Sequence, residues 1–217
     1  KHPLIKGVGF TGSISGGRAL FDLAAQRAEP IPVFAEMGSI NPVVFLPNAL
    51  KENSQKWATA YAGSITLGSG QFCTNPGLLL AIKGEALNQF SEQLATAIEK
   101  IEPTCMLHAT MQANFEKGSE KMQEQNRVST VAQYKGEVQA NYGRQTVLKV
   151  DGSEFLKNKS LSHEVFGPFS IIVECENEEQ LVQIINQLDG QLTGTIIGED
   201  HELKRHNDVV AALQNRV

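Results

Sequence analysis

The strongest constraint on the fold is the alternation, along the whole chain, of short apolar runs with longer segments of helical periodicity. The runs at residues 78–82 and 169–173 are continuously apolar, which is typical of strands buried on both faces of a sheet. Elsewhere, as at residues 86–101, apolar residues recur every three or four positions and predict an amphipathic helix. Strands that alternate with helices in this way predict the α/β class with a mostly parallel sheet.

The first part of the chain follows the same rule. A strand is predicted through Phe10, followed by a turn at residues 11–13. A helix is then predicted from about Ser15 to Ala28, with Ser13 or Ser15 as its N-cap. The remaining predictions are extended segments at residues 30–35, 43–46, 136–150 and 193–197, a polar surface helix pair within 104–126, a helix opened by a capping box of Asn177 and Gln180, and a last helix at 201–215.

Composition places the chain among ordinary globular proteins. Hydrophobic residues make up 41% and charged residues 20%, and the formal net charge is −5. With no long basic run, this balance argues against nucleic acid and against an anionic membrane surface as partners. No apolar run approaches the roughly 20 residues that cross a bilayer. The three cysteines are widely spaced and fit neither a disulfide framework nor a zinc site, so we expect no metal and a reducing, cytoplasmic compartment.

The segment at residues 68–77 is the strongest candidate site. Cys73 lies between a glycine-rich stretch and the pair Pro76-Gly77, after a helical pattern and before an apolar strand. A cysteine on such a turn can be held rigidly with its backbone N–H facing a substrate, and its thiolate is the reactive form. From the local sequence alone, two interpretations stay open: a nucleophile, or a small buried packing residue.

Two further segments also have both an ordinary and a functional interpretation. Residues 7–12 match G-x-G-x-x-G, but the apolar residues lie inside the motif, so a strand followed by a helix start is the better interpretation. That helix start could bind phosphate through its N–H groups or be an ordinary cap. Glu36 follows an apolar strand and precedes Gly38, where it could be a general base or an exposed loop carboxylate.

Together these segments resemble the signature motifs of the aldehyde dehydrogenase superfamily. Phe10-Thr11-Gly12-Ser13 with Gly17 resembles its phosphate-contacting turn, Glu36-Met37-Gly38-Ser39-Ile40-Asn41-Pro42 its glutamate motif, Gly70-Gln71-Phe72-Cys73 its cysteine motif, and Glu164-Val165-Phe166-Gly167-Pro168 its nicotinamide-ribose motif. The glutamate motif and Thr74-Asn75-Pro76-Gly77 are most similar to the bacterial branch of 2-oxoglutarate semialdehyde and long-chain fatty aldehyde dehydrogenases. Ser39-Ile40 stands where much of the family has Gly-Lys.

The resemblance implies a three-layer α/β/α domain that oxidises an aldehyde to a carboxylic acid with NADP or NAD. Cys73 would be the nucleophile that forms a thiohemiacetal and then a thioester, and Glu36 would activate the water that hydrolyses the thioester. Glu164 and Phe166 would hold the nicotinamide ribose and flank its ring. The resemblance also assigns cofactor contacts to Gly12, Ser13, Gly17 and Met37. Glu36, Cys73 and Glu164 would converge on one cleft, with Cys105 and Cys175 outside it as packing residues.

The resemblance also divides the chain. Residues 1–35 would be the end of the coenzyme domain, and residues 36–217 most of the catalytic domain, truncated at its C-terminus. The chain begins without a methionine and stops straight after a helical pattern, so we expect a piece of a longer protein. The piece alone is expected to be inactive, because an oxyanion-donating asparagine and the adenosine-binding residues would precede Lys1. The longer protein is expected to be a homo-oligomer, a dimer or a tetramer, with a small aldehyde as its partner.

Two other classes of protein stay open from the sequence. A fragment of this kind could be a non-catalytic scaffold or oligomerisation module. A cysteine hydrolase is the second alternative, and it would need His108 or His163 beside Cys73 to activate the thiol.

Overall fold

The computed structural model describes residues 2–217, and these form two compact units that divide between Ser39 and Ile40. The boundary predicted from the sequence lies a few residues earlier, between residues 35 and 36. Glu36 therefore belongs to the first unit, whereas Cys73 and Glu164 belong to the second.

The first unit is a strand–helix–strand element. Strand β1 (Val8–Gly12) pairs in parallel with β2 (Val33–Met37), and helix α1 (Ile14–Ala25) connects them. Ser13 is the N-cap of α1, as predicted, although the helix ends before Ala28. Glu36 lies within β2, opposite Thr11 of β1, rather than in a loop after the strand.

The second unit is built on a six-stranded sheet. Its strands are β3 (Pro42–Phe45), β4 (Leu78–Ile82), β5 (Ser129–Gln133), β6 (Thr146–Asp151), β7 (Phe169–Cys175) and β8 (Thr195–Ile197). Their order is β5-β6-β7-β4-β3-β8, and every neighbouring pair is parallel except β5 with β6. The prediction of an α/β protein with a mostly parallel sheet is confirmed.

Helices cover both faces of this sheet, which gives the three layers. The helices are α2 (Pro47–Thr66), α3 (Glu85–Lys100), α4 (Ala109–Gln123), α5 (Gly152–Lys157), α6 (Glu178–Gln187), α7 (Asp200–Arg205) and α8 (Asn207–Gln214). One face packs against α2 and α3, and the other packs against α4, α5, α6 and α8. The core strands are buried on both faces, which explains why their sequences are continuously apolar.

Several predicted elements differ from the structure. The polar pair at residues 104–126 is one helix, α4, whose buried Phe115 and Met122 anchor it to the core. Val138 lies outside any strand, and the edge strand β5, whose sequence is Ser-Thr-Val-Ala-Gln, was missed because an edge strand lacks a continuous apolar run. The segments predicted at residues 30–35 and 193–197 become strands only from Val33 and Thr195.

The C-terminal helices show two smaller differences. Asn177 caps α6 by accepting from the Gln180 N–H, as predicted, but the Gln180 side chain accepts from the N–H of Glu176 instead of completing a capping box. The last predicted helix breaks into α7 and α8 at His206, whose backbone is not helical (φ −102°, ψ 40°). The His206 ring lies 2.9 Å from the carboxylate of Glu178, and this contact ties the break to α6.

Parallel pairing determines where the motifs of the second unit meet. Strands β3, β4 and β7 are neighbours in the sheet, with Pro42 opposite Leu78 and Leu78 opposite Ile171. Their amino ends therefore lie at the same edge. The segments that immediately precede these strands, which include Asn41, the cysteine turn and Gly167, are brought together there although they are far apart in sequence.

The aromatic rings of Phe45, Tyr61 and Phe90 form a cluster on which the core can be tested. Phe90 is fully buried, and its ring centroid lies 5.2 Å from that of Phe45 and 6.3 Å from that of Tyr61. Phe90→Ala should lower the free energy of unfolding by about 3–5 kcal/mol, because it removes a large apolar side chain and leaves a cavity. Leu107→Ala is the control, since Leu107 is 76% exposed, and should change it by less than about 0.5 kcal/mol. Urea denaturation measures both, and equal losses would contradict this description of the core.

Candidate active site

Cys73 lies in a tight turn that the preceding residues prepare. After α2, a short 3-10 turn contains Gly68, Ser69 and Gly70, all with positive φ (55°, 59° and 62°), and reverses the chain. The Asn75 N–H then donates to the Phe72 carbonyl at 3.1 Å and closes a turn that has Cys73 as its second residue. Such a turn fixes the backbone of Cys73 independently of how its side chain packs.

The Cys73 thiol is exposed and forms no disulfide. In the described part of the chain, the Cys73 N–H donates to no backbone or side-chain acceptor. The open interpretation of this residue as a buried packing cysteine is therefore excluded. What remains is an accessible thiol next to an available N–H donor, the pair of groups that a thiol nucleophile needs to attack a carbonyl and hold the resulting oxyanion.

The cysteine segment touches the segment Glu164–Pro168 through backbone. A Cβ atom added to Gly70 would lie only 2.1 Å from the carbonyl oxygen of Gly167, so only glycine allows this approach. The same carbonyl accepts from Asn75 Nδ2 at 3.1 Å. Glu164 and Phe166 are both half-buried in this segment. Two of the three motifs predicted to converge are thus in contact within the second unit.

The far side of the turn is anchored by a buried tyrosine. Tyr61 of α2 donates its hydroxyl to the Pro76 carbonyl at 3.1 Å and lies 3.0 Å from the hydroxyl of Ser170. Burial raises the pKa of Tyr61 well above its ordinary value, although the hydrogen bond with Ser170 opposes the shift, so the hydroxyl remains a donor at physiological pH. Periodicity identified Tyr61 as a helix residue, but no sequence signal distinguished it from an ordinary core aromatic.

The other two cysteines are placed differently from Cys73. Cys175 is fully buried in β7, and burial raises the pKa of its thiol to about 12, as expected for a packing residue. Cys105 is exposed, so the expectation that it packs in the core is wrong. Its Sγ lies 3.3 Å from Asn141 Nδ2, at an isolated bridge between Cys105 and Tyr142.

The residues predicted to contact the cofactor through the first unit lie at one end of its sheet. Gly12 ends β1 opposite Met37, and Ser13 caps α1 by accepting from the Gly16 N–H at 3.1 Å. A Cβ on Gly17 would lie 2.4 Å from the Met37 sulfur, so glycine is needed for α1 to approach β2 here. Glu36 is exposed beside this end.

This end of the first unit fits a diphosphate. The first turn of a helix leaves N–H groups without intrahelical partners, and its dipole favours an anion. Ser13 and Ser15 are exposed there and add hydroxyl groups.

Residues 2–217 contain no cluster of three or more His, Cys, Asp and Glu side chains that could hold a metal ion. Over the same residues, no helix combines the length and apolarity that crossing a membrane would require.

Comparison with known proteins identifies the family. The model of the aldehyde dehydrogenase family matches residues 1–214. An α-ketoglutaric semialdehyde dehydrogenase of Acinetobacter baylyi is 36% identical over all 217 residues, and α-ketoglutaric semialdehyde dehydrogenase 2 of Azospirillum brasilense is 41% identical over 195 residues. The chain belongs to the aldehyde dehydrogenase family, and the predicted resemblance is confirmed. It spans 41% and 37% of the length of these two relatives.

Solved structures support the same fold. An NAD-dependent benzaldehyde dehydrogenase from Corynebacterium glutamicum superposes with a TM-score of 0.76 at 18% identity, covering 96% of this chain and 45% of that one. A betaine aldehyde dehydrogenase mutant from Staphylococcus aureus, solved in complex with NAD+, gives a TM-score of 0.78 at 18% identity, covering 96% and 43%. At 18% identity, the structural similarity supports a shared fold and no specific function.

The approach of Gly70 to Gly167 predicts opposite effects for one substitution at two glycines. Gly70→Ala should lower the free energy of unfolding by about 2 kcal/mol or more, because alanine is strained at φ 62° and its methyl group would overlap the Gly167 carbonyl. Gly63→Ala should raise it by up to about 1 kcal/mol, since Gly63 is an exposed helix residue with nothing within 4 Å of its added Cβ. Thermal and urea denaturation compare the two. A neutral Gly70→Ala would show that the two motifs are not held in contact.

Proposed function

We propose that the protein to which this chain belongs oxidises an aldehyde to a carboxylic acid with NADP or NAD, using Cys73 as its nucleophile. The observation that carries the proposal is the exposed Cys73 thiol, held on a closed turn beside an available N–H and against the segment Glu164–Pro168. Membership of the aldehyde dehydrogenase family supports the reaction class.

The first chemical step belongs to Cys73. Its thiolate attacks the aldehyde carbonyl carbon, a carbon–sulfur bond forms, and the carbonyl oxygen becomes an oxyanion that the Cys73 N–H stabilises. A bound nicotinamide would supply the hydride acceptor for that carbon, and Cys73 would then carry a thioester. In the proposed arrangement, Glu164 orients the nicotinamide ribose and Phe166 flanks the ring. The helix start at Gly12, Ser13 and Gly17, with Met37 beside it, holds the diphosphate.

Glu36 is proposed to act in the second step. Its carboxylate takes a proton from the water that attacks the thioester carbon, the carbon–sulfur bond breaks, and the acid leaves as the Cys73 thiolate is restored. The convergence of Glu36 with Cys73 stays a prediction.

We also propose a specific aldehyde substrate and a cellular location. Two relatives at 36% and 41% identity are named α-ketoglutaric semialdehyde dehydrogenases, so this aldehyde is the first to test. None of the three cysteines forms a disulfide, which supports the proposed cytoplasmic location. We also propose a homo-oligomer and the division of the chain into the end of a coenzyme domain and a catalytic domain.

A cysteine hydrolase is disfavoured by the histidines. His108 caps α4, with its Nδ1 accepting from the Met111 N–H at 3.1 Å, and is therefore engaged as a cap. His163 is exposed on the segment before Glu164. In the described residues neither ring hydrogen-bonds Cys73, so neither histidine is in place as the base that a hydrolase needs.

Activity of cysteine variants tests the proposal. In the native-length protein, Cys73→Ser should reduce aldehyde-dependent formation of NADPH or NADH by a factor on the order of 10³ or more, because a hydroxyl is far less ionised than a thiol. Cys105→Ser is the matched control, since Cys105 is also an exposed thiol but lies outside the turn, and should keep wild-type turnover. Absorbance of the reduced nicotinamide measures both. Wild-type turnover in Cys73→Ser, or none in the wild type with any aldehyde, would contradict the proposal.

A further inference from the structure

The side chain of Asn41 lies against the backbone of the cysteine turn. Its Nδ2 is 2.9 Å from the carbonyl oxygen of Cys73 and 2.9 Å from that of Asn75, so one amide group donates both of its hydrogens. Its Oδ1 accepts from the hydroxyl of Thr193 at 2.9 Å. The two carbonyls can only accept, which means that the orientation of the amide is determined by its partners.

Asn41 itself is held rigidly. The residue is 3% exposed and has a φ of 46°, in the left-handed region that asparagine tolerates better than most residues. The backbone N–H groups of Ile40 and Asn41 both donate to Gln191 Oε1, at 2.9 and 3.2 Å. Buried hydrogen bonds of this kind are strong and stiff. The segment with Gln191 and Thr193, which precedes β8, thus supports Asn41, and Asn41 supports the turn.

We infer that Asn41 is a positioning residue for Cys73: its amide fixes the turn so that the Cys73 N–H points to where an oxyanion forms. The Cys73 side chain is exposed and gains no orientation from packing, so the backbone must supply it. The Phe72–Asn75 hydrogen bond closes the turn, and the Asn41 amide holds two of its carbonyls from outside. The inference rests on the proposed role of Cys73 as nucleophile.

Two reagents separate thiol reactivity from oxyanion geometry. Iodoacetamide alkylates the thiolate with loss of iodide, and no oxyanion forms. p-Nitrophenyl acetate acylates it: the sulfur attacks the ester carbon, an oxyanion forms and collapses, and p-nitrophenolate leaves with the bonding pair. Only the second reaction needs the N–H in place. The ratio of the acylation rate to the alkylation rate therefore reports on the position of the Cys73 N–H.

The ratio of the acylation rate to the alkylation rate should fall when the Asn41 amide is removed. The experiment uses the native-length protein in a Cys105→Ser background, so that Cys73 is the one exposed thiol of residues 2–217. Asn41→Gly keeps the positive φ and removes the amide, and should lower the ratio on the order of tenfold. Thr193→Val, which loses the hydroxyl that orients the amide, should lower it by a smaller factor, and Thr193→Ser should restore it.

A substitution at a different asparagine is the control for loss of stability. Asn177→Ala removes another asparagine hydrogen bond, at the N-terminus of α6 beyond the far end of β7, and should lower stability without changing the ratio. An unchanged ratio in Asn41→Gly and Thr193→Val, or an equal fall in Asn177→Ala, would overturn the inference. If the ratio falls as predicted but the wild type oxidises no aldehyde, the positioning role of Asn41 is supported and the proposed function is wrong. If the wild type oxidises aldehydes and the ratio does not change in the variants, only the positioning role of Asn41 is wrong.

Discussion

Parallel pairing of β3, β4 and β7 is the constraint on which the rest of the second unit depends. Because these strands run in the same direction and are neighbours, the segments that precede them share one edge of the sheet. In open α/β sheets, ligands usually bind at the carboxyl ends of the strands, yet Cys73 lies before β4 and Glu164 before β7. Here the loops at the amino ends are tied to one another by the backbone approach of Gly70 to Gly167 and by side-chain amide hydrogen bonds to backbone carbonyls.

Glycine and amide groups make these ties. The approach of Gly70 to Gly167 leaves no space for a side chain, and Asn75 bonds to the same carbonyl. Tyr61 holds the Pro76 carbonyl from the helical layer below. Burying so many polar groups is costly unless they are paired, so this network stabilises one geometry rather than the fold in general. A reactive thiol benefits because it can be exposed to substrate while its backbone stays fixed.

The sequence predicted the features that depend on local pattern. Continuous apolar runs identified the central strands, and Ser13 and Asn177 identified two helix starts. The edge strand β5 escaped prediction because it lacks a continuous apolar run, and the break at His206 escaped it because the contact partner Glu178 lies far along the chain. The same holds for the site. Motif spacing predicts Cys73 and Glu164 as site residues, whereas the hydrogen bonds of Asn41 to the cysteine turn are visible only in the structure. Cys105 was expected to be buried, and no local pattern marked it as exposed.

We propose that Cys73 carries the substrate as a thioester that Glu36 helps to hydrolyse. The most direct measurement is peptide mass mapping of Glu36→Gln, in the native-length protein, denatured in acid after mixing with aldehyde and oxidised nicotinamide cofactor. Hydrolysis should be slowed more than acylation, so an acyl group should be found on Cys73 and neither on Cys105 nor on Cys175. An adduct on another cysteine would contradict the account. So would unlabelled Cys73 in a variant that has formed reduced cofactor in its first turnover.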